Sequence, residues 1–344
     1  MDPLAVPPRR VDFHHHVMPV GLLPDTFAEM WNGKSAWRFP AGTPIWSPQR
    51  SIEFMDDIGI DTAILSLPND VESMLPPRSR HGFAREVNTF AKQMAEEFPG
   101  RFGLFAHLPT PTDLDAALAE MTFALDELGA DGVTLTNVYG VGDDARSIGD
   151  PMFEPLWDEL DRRGALVFLH GEQTPGRNRA PSAYLPTPVS EVPNETYKAA
   201  ADLVTSGRKR QFPNARIILS HSGGSTPFLA ARVAGLCAFH LECELSPTEI
   251  LEDFRTFYYE TALSGFTTNL VALEDFVDTD HILFGTDFPA VSPQTATWYT
   301  TNVDGYFTGR PDMLAMVMHS NAYSLIPRLR PADSTLGNSL HLPG

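Results

Sequence analysis

Cysteine, positive charge and long apolar runs are scarce in this 344-residue chain. Its two cysteines, Cys237 and Cys243, exclude a disulfide framework and favour a reducing compartment. The 25 Lys and Arg residues against 44 Asp and Glu residues give a net charge of −19, which argues against a nucleic-acid binder because phosphates must be met by clustered positive charge. No apolar run approaches a membrane span, and the first residues lack the apolar core of a signal peptide. We therefore expect a cytoplasmic protein with no nucleic-acid or membrane partner.

Eight short apolar runs recur along the chain, and most are followed by a segment with helical spacing of apolar residues. Continuous apolar runs predict strands buried on both faces, and their alternation with helices predicts parallel pairing. The predicted strands are 11–17, 61–67, 101–108, 131–137, 165–171, 215–221, 256–262 and 281–287. The predicted helices include 82–98, 113–129, 153–163, 195–209, 226–242 and 268–277.

Eight such units predict an α/β fold, a closed (β/α)8 or TIM barrel, with an open doubly wound sheet as the alternative. We expect one domain over residues 1–344, with a core at about 11–326 and a loosely held tail from about 331. Two proline-rich segments, 18–50 and 171–194, follow strands 1 and 5. We predict that both are long loops over the face at which barrels place their active sites.

Histidines and one aspartate lie at the ends of the predicted strands. His14 and His16 are two apart on strand 1, so their side chains leave the same face, whereas His15 points the other way. The residues that close strands 5, 6 and 8 are His170, His221 and Asp287. Three imidazoles and one carboxylate with an open position form a catalytic zinc-type site. The pattern alone leaves open which histidine is outside the ligand set.

These residues lie in motifs that resemble the metal-binding signatures of the amidohydrolase superfamily. The motifs are DFHHHVMP, VFLHG, IILSHSGGSTPFLAAR and ILFGTDFP. The similarity runs from about residue 11 to residue 326. Within the superfamily, the chain resembles the branch that contains aminocarboxymuconate-semialdehyde decarboxylase and the aromatic-acid decarboxylases. The stretch 191–224 is most similar to 6-methylsalicylate decarboxylase-type proteins.

The resemblance implies roles for the residues at the strand ends. It makes His221 a catalytic residue beside a metal whose ligands are His14, His16, His170 and Asp287. Superfamily members with two metals usually bridge them with a carboxylated lysine that ends strand 4. Strand 4 here ends in Thr136 and Asn137, so we expect one divalent ion, zinc first and manganese second. A homodimer is expected from the resemblance only.

Substrate contacts are predicted in the loops around the mouth. Arg38 lies roughly where an arginine of the resembling decarboxylases meets a substrate carboxylate, although loop arginines are more often solvated. Trp37, Trp46 and Phe288 are candidates for a flat apolar wall, although aromatic residues near a barrel mouth often only pack. Glu172 is a candidate partner of the site, against the simpler role of a solvated acid.

The leading hypothesis is non-oxidative decarboxylation of an ortho-hydroxy aromatic or enol-type carboxylic acid. The ion would bind the carboxylate and the adjacent hydroxyl oxygen, and either Asp287 or His221 would deliver the proton that replaces CO2. The alternative is hydrolysis of a lactone, ester or amide, with Asp287 accepting a proton from water and His221 stabilising the oxyanion. A third hypothesis, a barrel that only binds, is opposed by the complete ligand set.

Overall fold

The computed structural model describes residues 9–19, 21–39, 45–68, 71–75, 82–140, 142–171, 182–241 and 243–331. In these ranges the main sheet has eight strands in sequence order. They are β1 (Val11–His16), β2 (Thr62–Ser66), β3 (Phe102–His107), β4 (Gly132–Thr136), β5 (Leu166–His170), β6 (Arg216–Leu219), β7 (Tyr258–Glu260) and β8 (Ile282–Leu283). Each coincides with a predicted strand, so the predicted (β/α)8 barrel is confirmed.

The barrel closes through backbone hydrogen bonds between β1 and the last strand with the residues that follow it. The N–H of Phe13 donates to the carbonyl oxygen of Phe284 at 3.0 Å, and the N–H of His16 donates to that of Phe288 at 2.7 Å. All neighbouring strand pairs in the sheet are parallel. Their carboxyl ends therefore surround one mouth, where side chains distant in sequence meet.

Helices fill the connections between the strands. The α-helices are Phe27–Ser35, Pro48–Ile58, Val71–Met74, Phe83–Glu97, Leu114–Thr122, Glu154–Arg163, Thr187–Ser190, Val192–Thr205, Arg208–Gln211, Thr226–Phe239, Pro247–Arg255, Thr267–Phe276, Pro293–Tyr306, Pro311–Ala315 and Asn321–Leu325. Two π-helical turns, Phe123–Glu127 and Met316–Ser320, continue the helices before them. A two-stranded antiparallel hairpin pairs Val138–Tyr139 with Arg146–Ser147. No described helix combines the length and apolar composition that crossing a membrane requires.

The predicted loop at 18–50 is wrong in part, because it contains the helix Phe27–Ser35. Trp31 of this helix packs on Phe27 and Phe39, with ring centroids 5.7 and 5.5 Å apart. Phe27 and Trp31 are also buried in the core, and this packing stabilises a short helix that lacks a pronounced amphipathic pattern in its sequence. In the other predicted loop, residues 172–181 lie outside the described residues, and so does the predicted tail beyond 331.

Two apolar clusters form the core. The larger lies mainly between the barrel and its helices, and the smaller includes residues of the barrel interior. In the smaller cluster Phe105 stacks on Phe168, with ring centroids 5.7 Å apart. Phe168 in turn contacts the ring of His14 at 5.0 Å, so apolar packing supports the polar mouth from below.

Candidate metal centre

Five side chains with metal-binding atoms meet at the mouth of the barrel. They form two overlapping triads, His14 with His170 and His221, and His14 with His16 and Asp287. Within each triad the ligand atoms lie within 4.8 Å of one another, and all five residues are buried. The sequence-predicted residues at the strand ends are thus brought together, with His14 common to both triads.

Hydrogen bonds on the outer side of the cluster fix the orientation of all four imidazoles. The Nδ1 atom of His14 donates to Oε1 of Glu260 at 2.8 Å. The Nδ1 atom of His16 lies 3.3 Å from the carbonyl oxygen of Ser66. That of His170 lies 2.8 Å from the carbonyl oxygen of Gly171, and that of His221 lies 3.1 Å from the carbonyl oxygen of Ala262. Because these partners are acceptors, each neutral ring carries its hydrogen on Nδ1 and directs the lone pair of Nε2 toward the centre.

The centre brings together lone pairs that need a cation. The Nε2 atoms of His14 and His16 are 3.1 Å apart. Oδ1 of Asp287 lies 3.3 and 3.0 Å from these two nitrogen atoms, and it is buried with no contact of good hydrogen-bond geometry among the described residues. Imidazole nitrogens around an unpaired carboxylate oxygen are the donors that zinc and similar divalent ions take. The residues present therefore fit a metal ion.

Electrostatics in the centre also favour a positive charge. Burial opposes the protonation of His14, yet the carboxylates of Glu260 and Asp287 raise its pKa to about 10. Burial lowers the pKa of His16 and His221, and it lowers that of His170 furthest. Burial opposes the charge of Asp287, but His14 beside it holds the pKa of that carboxyl well below its usual range. A cation at the centre would face Asp287, one of the two carboxylates that favour the proton on His14.

A second polar network braces β1 behind the centre. Asp12 is fully buried and accepts hydrogen bonds from the N–H of His14, the hydroxyl of Thr286 and Nδ1 of His15 at 3.0, 2.6 and 3.0 Å. His15 points away from the mouth, as the alternation of β1 predicts, and its Nε2 lies 3.0 Å from Oγ of Ser51. The strand pairing shifts register between Asp12 and His15, and such a bulge re-aims side chains.

A cavity of about 230 Å³ opens onto the centre. Its polar floor includes His16, His170, His221 and Asp287, and its walls are mostly apolar. The wall residues include Trp31, Trp37, Val189, Val192, Leu263 and Val291. Trp37 is held in place by a hydrogen bond from its Nε1 to the carbonyl oxygen of Ala290 at 2.8 Å. The cavity therefore offers an aromatic, water-poor pocket beside the metal-binding atoms.

Three other predicted contacts, Arg38, Trp46 and Phe288, are not among the residues that line the cavity. Arg38 is exposed and is not among the cavity-lining residues. Phe288 is buried behind the centre, where it stacks on Phe54 with ring centroids 4.2 Å apart and contacts His15. Trp46 is buried against Phe90. The candidate Glu172 lies outside the described residues.

Two carboxylates of the site were missed in the sequence, Asp12 and Glu260. Both lie inside predicted strands, 11–17 and 256–262, and both are fully buried. The available signal was a charged residue in an otherwise apolar strand, since a buried carboxylate needs partners. The partner Thr286 of Asp12 and the partner His14 of Glu260 belong to other parts of the barrel, and the sequence pattern did not show these pairings.

Comparison with known proteins gives consistent matches over nearly the whole chain. A family model described as amidohydrolase matches residues 11–328. The decarboxylase yanB of Aspergillus niger is 37% identical over 343 residues, which cover 96% of this chain and 91% of that protein. The 6-methylsalicylic acid decarboxylase acuB of Aspergillus aculeatus is 37% identical over 339 residues, which cover 94% of this chain and 98% of that protein.

A solved structure shares the fold. The dihydroxybenzoic acid decarboxylase of Polaromonas sp. JS666, with bound manganese and the inhibitor 2-nitroresorcinol, superposes with a TM-score of 0.72. The match covers 95% of this chain and 98% of that chain at 22% sequence identity. At this identity, the superposition shows a common barrel.

Proposed function

The chain belongs to the amidohydrolase family, and we propose that it is a metal-dependent, non-oxidative decarboxylase that releases CO2 from an ortho-hydroxy aromatic carboxylic acid. The family membership confirms the resemblance read from the motifs. The proposed substrate is of the 6-methylsalicylate or salicylate type. The observation that carries the proposal is the combination of a buried His/Asp centre with an aromatic-walled cavity that opens directly onto it.

We assign one divalent ion to the centre. Its proposed ligands are those that the family resemblance implies, His14, His16, His170 and Asp287. His221, which shares a triad with His14 and His170, is assigned as the catalytic residue on the same ground. Zinc suits a set of imidazoles with one carboxylate, and the manganese of the Polaromonas decarboxylase supports manganese as the alternative. When bound, the ion supplies a Lewis acid that attracts and polarises the oxygen atoms of the acid.

His221 is placed to handle a proton in the cavity. Its Nδ1 hydrogen is committed to the carbonyl oxygen of Ala262, so Nε2 is the ring atom that holds or moves a proton toward the substrate. The ring carbon that loses CO2 must gain a proton. We assign this delivery to Nε2 of His221, because Oδ1 of Asp287 is turned toward His14 and His16. Nε2 of the neutral ring carries a lone pair, so it first takes up the proton that the carboxylic acid or solvent supplies and then gives it to the ring carbon as CO2 leaves.

The walls favour one aromatic ring with a small apolar substituent. Trp37, Leu263 and Val291 present apolar surface to the cavity, and its volume of about 230 Å³ has room for one substituted ring. Apolar walls exclude water from the reacting carbon and hold the ring against the polar floor. A methyl group on the ring finds apolar contacts there, which supports a 6-methylsalicylate-type acid.

We further propose a cytoplasmic homodimer built of single-domain subunits. Both described cysteines are free thiols, which supports a reducing compartment. The helix Thr226–Phe239 exposes Phe228, Leu236 and Phe239, and Phe239 is 80% exposed in the isolated chain. An apolar helix face of this kind supports a subunit interface, and light scattering of the purified protein measures the assembly directly.

The test of the reaction is CO2 release, with product identification, from zinc- or manganese-loaded protein offered ortho-hydroxybenzoic and muconate-type acids. We expect CO2 and the corresponding phenol from a 6-methylsalicylate-type acid. His221→Ala should keep the metal and abolish turnover. Full activity of that variant would remove His221 from the mechanism.

The same assay separates the alternative reaction. Protein that holds about one ion yet releases no CO2 from any acid would contradict decarboxylation. Turnover of lactones, esters or amides would then establish the hydrolase. Failure of the purified protein to hold about one ion would contradict the metal centre itself.

A further inference from the structure

Glu260, the last residue of β7, contacts both halves of the proposed site. Its side chain is fully buried. Oε1 accepts a hydrogen bond from Nδ1 of His14 at 2.8 Å and a second from the backbone N–H of His221 at 2.6 Å. Oε2 accepts from the N–H of Ala262 at 2.6 Å. One carboxylate thus joins a proposed metal ligand to the proposed catalytic histidine.

The His221 backbone needs such support. It has a φ of +55°, a left-handed conformation that residues with a side chain rarely adopt. Three contacts from the end of β7 and the turn after it hold the residue. The Glu260 carboxylate binds its N–H, the Ala262 carbonyl oxygen binds its ring, and Oγ of Ser264 donates to its carbonyl oxygen at 3.1 Å. Of these three contacts, the one from Glu260 involves a charged group, and hydrogen bonds to charged groups are the strongest.

Gly285, just after β8, makes room for this carboxylate. A Cβ atom at position 285 would lie 2.1 Å from Oε2 of Glu260 and 3.0 Å from Cβ of His14. Real Cβ atoms do not approach oxygen so closely, so any side chain at 285 displaces Glu260. The position of Glu260 therefore depends on a glycine two residues before Asp287.

We propose that Glu260 is a positioning residue that sets the ring orientation of the metal ligand His14 and the backbone of His221 through one carboxylate oxygen. The inference rests on the proposed metal site but not on the identity of the reaction. Carboxylate partners of ligating histidines fix the tautomer and raise ligand basicity, and their loss typically weakens metal affinity by about 10- to 100-fold.

Glutamine at 260 tests the carboxylate with little change of volume. The site presents three N–H donors to two oxygen atoms, so an amide NH2 must face at least one donor. The matched control is Glu120→Gln. Glu120 is also buried and accepts from Asn88 and Arg85 at 2.8 Å each, and it belongs to neither metal triad.

The experiment measures the zinc dissociation constant by competition with a chromophoric chelator, together with kcat, KM and thermal unfolding in chelator. We expect Glu260→Gln to raise the dissociation constant about 10- to 100-fold and, at saturating zinc, to lower kcat with little change in KM. Glu120→Gln should change stability without changing metal affinity. Gly285→Ala should weaken zinc binding while retaining the carboxylate.

The outcomes distinguish this inference from the proposed function. Wild-type protein that binds no zinc would overturn the metal site and the inference with it. Wild-type and Glu260→Gln proteins with equal zinc affinity would overturn the inference alone. A zinc affinity lowered equally by Glu120→Gln would show a general loss of stability and would also overturn it. These readings hold whether the enzyme releases CO2 or hydrolyses an ester.

Discussion

The backbone N–H of Asp287 donates a hydrogen bond to the carbonyl oxygen of His14 at 2.8 Å. His14 lies on the first strand of the barrel, and Asp287 follows the last. These two proposed ligands are therefore joined by a main-chain hydrogen bond as well as through the proposed metal site. Asp287 has a φ of +64°, a left-handed backbone conformation after β8. The site lies on the seam at which the barrel closes.

Metal removal should therefore lower the thermal stability. An ion that binds only the folded state adds about 4 kcal/mol at a free concentration about 1,000 times its dissociation constant. For a chain of this size we expect chelation to lower Tm by roughly 5–10 °C, measured by differential scanning calorimetry. Asp287→Asn is the control, because asparagine tolerates the left-handed backbone but lacks the charge. A Tm independent of metal in the wild type would contradict a site on the seam.

Trp37→Phe should weaken substrate binding more than chemistry. The change removes the hydrogen bond to Ala290 that fixes the cavity wall, and such bonds contribute about 0.5–1.5 kcal/mol. We expect KM to rise about 3- to 10-fold with kcat nearly constant, in steady-state assays. Trp46→Phe is the matched control, because its Nε1 has no hydrogen-bond partner among the described residues and its ring lies outside the cavity lining. A fall in kcat alone would contradict a wall role for Trp37.

Phe288→Leu should cost stability and leave KM unchanged. The ring stacks on Phe54 in the core, and loss of such packing costs about 1–3 kcal/mol. Urea unfolding of the metal-loaded protein measures this loss, and Phe54→Leu should reproduce it. An increase in KM at unchanged stability would instead support the sequence prediction of a substrate contact.

Arg38→Gln should slow the association of the substrate with the enzyme and leave its turnover unchanged. The chain carries a net charge of −19, which repels an anionic acid, and exposed Arg38 follows Trp37 of the cavity wall. We expect kcat/KM to fall about 2- to 5-fold at low salt and the effect to fade above about 0.1 M salt. The control Arg255→Gln makes the same charge change on the helix before β7, at the opposite end of the barrel. A large loss that persists in salt would support direct binding of the substrate carboxylate.

The strands were predictable because each is buried on both faces and reads as an apolar run. The run 165–171, for example, predicted β5 (Leu166–His170) to within a residue at each end. The clustering of the five candidate metal ligands followed from the fold, because parallel strands of a barrel end at one mouth. The helix Phe27–Ser35 did not follow, because it is short and the burial of Phe27 and Trp31 in the core stabilises it.

The substrate side of the site was less predictable than the metal side. Phe288 follows Asp287 in sequence, yet its ring turns into the core, because the chain pairs with β1 at that point. The role of Glu260 depends on His14, 246 residues away, and no local pattern encodes that contact. Local spacing predicts on which face of a strand a side chain lies. The partner of that side chain across the barrel depends on how the strands close into the barrel.

Closure of the barrel also determines when in the life of the chain the site can exist. Asp12 accepts a hydrogen bond from Thr286 at a sequence separation of 274, so the seam is a contact of very high sequence separation. Such contacts form late and slowly, because closing a long loop costs entropy before the contact contributes any favourable free energy. During synthesis, a nascent chain that ends before β8 has the histidines but lacks the aspartate. The proposed ligand set is therefore complete only once nearly the whole polypeptide has emerged from the ribosome.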